Sequence, residues 1–146
     1  MKALIQRVSA ASVTVDGQIV GEIEQGILAY IGLGPEDNIE TAKKMVDKIL
    51  TYRIFDNEAG KLDKNVQQVE GGLLLVSQFT LMAKTDKGRR PDFGGAMAPA
   101  QASELFEQMV AYAKQQYSKV ETGEFGANML VKADNDGPLN FILEID

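Results

Sequence analysis

Apolar and polar positions alternate from the start of the chain. Leu4-Ile5-Gln6-Arg7-Val8 reads as one strand and Ser12-Val13-Thr14-Val15 as the next, with Val13 and Val15 alternating with polar neighbours. Asp16-Gly17 is a two-residue hairpin signal, and Gln18-Ile19-Val20-Gly21-Glu22-Ile23 is the predicted return strand. Gly26 then punctuates the chain before Ile27-Leu28-Ala29-Tyr30-Ile31, an unbroken apolar run suited to a strand buried on both faces. Gly32-Leu33-Gly34-Pro35 ends it.

The period then changes. Asp37 is the predicted helix cap, with Glu40 at capping-box spacing, and Ile39, Ala42, Val46, Ile49 and Leu50 fall on one helical face. Gly60 breaks the chain after Arg53-Ile54-Phe55. Gly71-Gly72 introduces Leu73-Leu74-Leu75-Val76, a predicted central strand that delivers Ser77 and Gln78 at its end. Residues 83–98 contain three Gly and one Pro and are predicted as loop. A second helix is expected from Pro99, a favoured first-turn residue, with Ala102, Leu105, Phe106, Met109, Ala113 and Tyr117 as its buried stripe. The tail is predicted as a hairpin. Met129, Val131 and Ala133 alternate, residues 134–138 turn, and Leu139, Phe141, Leu143 and Ile145 alternate back. Strands, two interspersed helices and strands again make an α+β domain, and residues 1–146 have the size of one domain.

Composition narrows the chemistry more than the fold. There is no Cys and no His. Disulfides and thiolates are excluded, as are Ser-His and Cys-His pairs and most zinc sites. Any catalysis must use carboxylates, Lys, hydroxyls, backbone dipoles or the substrate itself, and neither metal nor cofactor is expected. The net charge of −6 argues against a generic phosphate-driven RNA binder, yet it allows a local basic patch for one RNA end. No stretch approaches the roughly 20 apolar residues of a membrane span. Met1-Lys2-Ala3-Leu4-Ile5-Gln6-Arg7 is too polar too early for a signal-peptide core, so a cytoplasmic protein without a membrane partner is expected.

Three segments are candidates for function. Ser77-Gln78-Phe79-Thr80 puts two hydroxyls, an amide and backbone N–H groups beyond a rigid strand. Such a group can bind a developing oxyanion without a titratable side chain, or it can simply satisfy local backbone groups. Lys84, Lys87, Arg89 and Arg90 oppose one anion, Asp86, in the densest basic run of an acidic chain: a solvated loop, or a loop that touches nucleic-acid phosphates. Gly137-Pro138 is normal turn punctuation, and its glycine also permits close backbone approach to a ligand. Asp134 and Asp136, which precede it in the same turn-like segment, read as turn carboxylates.

Ser77-Gln78-Phe79-Thr80-Leu81, then Lys87-Gly88-Arg89-Arg90-Pro91, then Asn135-Asp136-Gly137-Pro138 resemble, in order, the signature segments of the D-aminoacyl-tRNA deacylases. The resemblance extends to Gln6-Arg7-Val8, Tyr52-Arg53-Ile54-Phe55 and Asn65-Val66 and so covers the full chain. It implies a mostly antiparallel, barrel-like β core with two helices. It also implies hydrolysis of the ester joining a D-amino acid to the 3′-terminal ribose of tRNA. The family's members are homodimers, in which a cis Gly-Pro peptide of one subunit enters the other's pocket and its carbonyls exclude L side chains.

On this resemblance Gly137 and Pro138 are the chirality filter and Arg7 its support. Ser77, Gln78, Phe79 and Thr80 line the hydrolytic pocket, with the backbone near Phe79 and Thr80 as oxyanion donor. Lys84, Lys87, Arg89 and Arg90 are expected to contact tRNA, and DNA is not expected as a partner. Exclusion by clash also predicts that glycyl-tRNA is hydrolysed. A Thr80 nucleophile is one mechanism for such an enzyme. A route assisted by the substrate's ribose hydroxyl with an ordered water is the other, and it is favoured because Thr80 has no evident base. One departure is Asn140, which stands where the family usually has Thr. The readings from other classes are a non-catalytic module for RNA ends or aminoacyl groups and a hydrolase for small D-amino-acid esters or peptides.

Overall fold

A computed structural model describes residues 1–146. Strand β1 (Lys2–Val15) is a single element where the sequence pattern indicates two. Its second half pairs antiparallel with β2 (Gln18–Ile23) and its first half with β3 (Gly26–Gly32). Asp16 and Gly17 both take positive φ, 49° and 77°, as the predicted hairpin turn requires.

Helix α1 (Ile39–Thr51) starts one residue later than its predicted cap implies. Asn38, not Asp37, is the cap, its Oδ1 accepting from the Thr41 N–H at 3.0 Å. A capping oxygen must sit on the residue immediately before the first helical turn, and that position is occupied by Asn38. Asp37 is engaged elsewhere: it accepts from the Gly34 N–H at 2.6 Å and pairs with the Met1 amino group at 3.0 Å. The buried stripe contains Ala42, Val46, Ile49 and Leu50 and also Met45, while Ile39 is only partly covered.

A short ribbon of β4 (Phe55–Asp56) and β5 (Leu62–Lys64) follows, and then β6 (Gly72–Ser77), which runs parallel to β3. Helix α2 (Pro99–Gln116) buries Ala102, Leu105, Phe106, Met109 and Ala113, and Tyr117 packs half-buried just past its end. Strand β7 (Val120–Thr122), too short to leave a pattern in the sequence, joins β6 in parallel. The three pairings of β1 are antiparallel, so the sheet is mixed with antiparallel pairing in the majority.

The tail is not a hairpin. It is one strand, β8 (Leu130–Glu144), antiparallel to β1 from Lys2↔Glu144 to Thr14↔Leu130. A hairpin would reverse one half of the tail relative to the other, and both halves could not then be antiparallel to β1. The length of β1 allows the alternative. The turn-like residues are instead extruded: Gln6 pairs with Asn140 and Val8 with Asn135, leaving Asp136–Leu139 opposite Arg7 alone. This is a large bulge in a continuous ladder.

The sheet has two buried faces. Ala3, Ile5, Ile27, Ala29, Ile31, Leu73 and Leu75 pack under α1 and α2. Val8, Ala11, Val13, Ile23, Leu28, Leu74 and Val76 fill the inside of the curve. The alternation through β3 and β6 explains why both read as unbroken apolar runs. The curve nearly closes where β2 approaches β7, so tightly that a Cβ at Gly21 would overlap the Thr122 carbonyl. No helix is long and apolar enough to cross a membrane.

Candidate active site

Ser77 is the last residue of β6, in register with Ile31 at the end of β3, and the Gln78 N–H donates to the Ile31 carbonyl at 2.8 Å. The chain then turns into a single 3₁₀ turn, Phe79–Met82. The first N–H groups of any such turn have no acceptor within it, so the amides of Phe79 and Thr80 are available at the strand end. Two parallel strands hold this corner rigidly. A loop would not.

The corner opens on a cavity of about 510 Å³ lined by apolar groups, among them Ile31, Leu33, Phe79, Phe93, Met97, Phe125 and Met129. Ser77 and Gln78 carry the only strong hydrogen-bonding side-chain groups on its wall, and no charged side chain lines it. Thr80 does not line it. Thr80 is exposed, and its Oγ1 accepts from Gln78 Nε2. Ser77, Gln78 and Phe79 are therefore brought together as expected, while the Thr80 hydroxyl lies beside the cavity rather than in it. Hydrogen-bond donors concentrated at one wall of an apolar cavity are in the surroundings where they stabilise developing negative charge most.

At the rim, the rings of Phe79 and Phe93 meet with centroids 5.1 Å apart at 59°, and both are exposed, 57% and 42%. A backbone bridge between Lys84 and Asp92, 2.7 Å and 3.1 Å in its two hydrogen bonds, closes the base of the loop between them. Lys84, Lys87, Arg89 and Arg90 are all exposed, and none is in an ion pair. Their charge is uncompensated by the fold and directed to solvent.

Gly137 and Pro138 lie in the β8 bulge, and the peptide between them is cis. Arg7 braces the bulge: Nε donates to the Asp136 carbonyl at 3.3 Å and pairs with its carboxylate at 3.2 Å, while Nη1 donates to the Ile54 carbonyl at 3.0 Å. The Arg7 side chain is 11% exposed, and Asp56 stands 3.6 Å from Nη1. Asn135 donates from Nδ2 to the carbonyls of Arg7 and Leu139, at 3.0 Å and 3.2 Å, and so pins both ends of the bulge.

Gly137 and Pro138 do not line the cavity of their own chain. Arg7 is level with Ile27 and Ser77 with Ile31, four residues along the strands, and β8 is three strands from β6. At about 3.3 Å per residue and 4.8 Å per strand, the two segments are on the order of 15–20 Å apart.

The groups whose titration the fold shifts are outside the cavity. Burial raises the hydroxyls of Tyr30 and Tyr117, a hydrogen bond to Asp47 raises that of Tyr112, and a backbone hydrogen bond lowers the Glu58 carboxyl. Sequence reasoning missed the apolar wall, in particular Phe93, Met97, Phe125 and Met129, and the bracing group Asp56; Ile54 and Asn135 stood in the segments it singled out, but without a bracing role. For Phe93 a signal existed: an aromatic three residues beyond the basic run is hard to explain as plain loop.

A family model described as D-Tyr-tRNA(Tyr) deacylase matches residues 4–144. A protein named D-aminoacyl-tRNA deacylase from Psychrobacter sp. (strain PRwf-1) is 86% identical over 145 residues, 99% of each chain. A protein of the same name from Acinetobacter baylyi (strain ATCC 33305 / BD413 / ADP1) is 59% identical over 145 residues, again 99% of each. Among solved structures, one described as c-Myc DNA Unwinding Element Binding Protein superposes with a TM-score of 0.95 at 40% identity, covering 100% of this chain and 99% of that one. A probable eukaryotic D-amino acid tRNA deacylase superposes at 0.87 with 17% identity, covering 99% and 98%, a likeness of fold.

Proposed function

The chain belongs to the D-Tyr-tRNA(Tyr) deacylase family, and from that premise we propose that its Ser77–Thr80 corner cleaves the ester while Gly137-Pro138 of a partner subunit screens the substrate's handedness. The chain is a D-aminoacyl-tRNA deacylase, a hydrolase of the ester bond between amino acid and tRNA. The finer assignment rests on one observation: the polar groups of the cavity are confined to Ser77, Gln78 and the adjoining backbone.

The amides of Phe79 and Thr80 receive the carbonyl oxygen as it becomes an oxyanion, with Ser77 and Gln78 orienting the ester. Thr80 is no nucleophile in this reading, since its Oγ1 already engages Gln78 and no base adjoins it. The terminal ribose hydroxyl and a water supply the proton transfers.

Because Gly137 and Pro138 lie far from their own chain's cavity, a filter made from them must act on a second copy. An exposed apolar patch supports such a copy. Ile142 is 67% exposed and lies in register with Leu4, which is in register with Tyr30. A two-fold pairing makes two equivalent composite sites. Rigid backbone carbonyls cannot grip varied D side chains; they act by colliding with L ones, so glycine passes.

Matched D-alanyl-, glycyl- and L-alanyl-tRNA test the reading. Hydrolysis of the first two with the third spared is expected. Glycyl-tRNA left intact while the D ester is cleaved overturns exclusion and requires recognition of the D side chain. The structural relative described as a DNA-element binder motivates a second reading, non-catalytic nucleic-acid binding. That reading is supported only if all three esters are bound and none is cleaved.

A further inference from the structure

Phe79 and Phe93 line the cavity, but the ring surface they turn outward at its rim is not used in the proposed ester cleavage. Phe79 and Phe93 leave 57% and 42% of their surface to water, although a chain of this size has ample core to hold them. Their rings meet at 5.1 Å and 59°, which fixes each against the other and leaves an open ring face. Phe93 follows directly on Asp92, whose backbone bridge to Lys84 forms the neck of the loop carrying Lys87, Arg89 and Arg90. Open aromatic faces beside unpaired cations are how proteins hold single-stranded nucleic acid. Bases stack on the rings, and the phosphates between them meet the charges.

We infer that Phe79 and Phe93 form a stacking platform for the nucleobase next to the reacting one, on the single-stranded end of the RNA. The inference rests on the proposed tRNA substrate and adds where its second nucleotide lies. With the ester at Ser77–Phe79, the reacting nucleotide fills the cavity, and the strand can reach the Lys84–Arg90 loop only across the rim. The next base then meets the exposed rings. A ring contributes regardless of base identity, because every base has a π face, so this platform supplies affinity and register without sequence preference.

The chain has no Trp, so Phe93→Trp introduces a single indole, read selectively by its red-shifted excitation, at the rim. The probe is an RNA hexamer ending in CCA with a free 3′-hydroxyl, compared with the same hexamer lacking the penultimate base. The intact hexamer is expected to quench the indole and to bind about 5- to 150-fold more tightly than the abasic one, the range for one stacked base. In parallel, Phe93→Ala is expected to raise KM for D-aminoacyl-tRNA by a similar factor with kcat within about threefold, and Phe93→Tyr to restore it. Equal binding of the two hexamers overturns the platform, as does an unchanged KM in Phe93→Ala. Indole emission that depends on protein concentration but ignores RNA also overturns it, and assigns the rings to a protein contact. The hexamer comparison reads the platform whether or not hydrolysis occurs, whereas loss of D-aminoacyl-tRNA hydrolysis in the unmodified enzyme counts against the substrate assignment.

Discussion

Asn135 Nδ2 donates to the carbonyl of Arg7 at 3.0 Å, joining the last paired residue of β8 before the bulge to the residue of β1 that faces the bulge without a ladder partner. The same nitrogen reaches the Leu139 carbonyl at 3.2 Å, at the bulge's other end. One carboxamide thus closes four residues of extruded chain. Asn135→Asp keeps the shape and replaces both donated hydrogen bonds with a carboxylate facing two carbonyls. A loss of about 1–3 kcal/mol in unfolding free energy is expected, together with a lower ratio of D- to L-ester hydrolysis. Stability lost with the ratio intact would make Asn135 structural only.

Gly137 has φ of 120°, a region that L side chains rarely adopt, and a Cβ there would come within 3.1 Å of the Leu139 amide and 3.2 Å of the Arg7 guanidinium. Gly137→Ala is expected to cost about 1–3 kcal/mol and to displace the bulge. Denaturant unfolding checks the first expectation. Cleavage of L-alanyl-tRNA, compared with that by the unmodified protein, checks the second.

Removal of the Thr80 hydroxyl separates the two mechanisms. Thr80→Ala is expected to retain kcat within about tenfold, whereas disturbing an oxyanion donor typically costs about 100- to 1000-fold. A covalent adduct on Thr80, or a loss beyond the upper figure, would establish the nucleophile instead.

Salt tests the basic loop. If Lys84, Lys87, Arg89 and Arg90 each meet a phosphate of a single-stranded end, log affinity for tRNA falls with log salt at a slope of up to about −3. Arg89→Gln with Arg90→Gln should flatten it by about 1.4 without altering D/L preference. An unchanged slope would leave the four as solvated charges.

The exposed Ile142 tests the partner subunit. Ile142→Asp places a charge in the apolar patch and is expected to shift the sedimenting species toward monomer and lower activity in parallel. A monomer as active and as selective as the unmodified protein would remove the shared site.

Local pattern determined much of this molecule. The Asp16-Gly17 hairpin, the apolar runs of β3 and β6 and the buried stripes of both helices follow from side-chain period and turn chemistry, which are properties of neighbouring residues. The absence of His and Cys, likewise readable without coordinates, restricts the chemistry to carboxylates, Lys, hydroxyls, backbone dipoles and substrate. The segments around Ser77 and Gly137 were legible as candidates for the same reason: they are short and contiguous. Tertiary structure decided the rest. Residues 134–138 have the composition of a turn, and they became a bulge because β1 offered a partner along the whole of β8. Asn38 rather than Asp37 caps α1 because Asp37 is held by Gly34 and Met1, the latter a contact across thirty-six residues. The cavity wall draws Ile31, Ser77, Phe93 and Phe125 from four separate stretches of chain, and the brace on the bulge draws Arg7, Ile54 and Asn135 from three. Such groupings have no period to read, because what brings them together is the burial of distant apolar faces and the closing of a sheet, each realised only when the whole chain has folded.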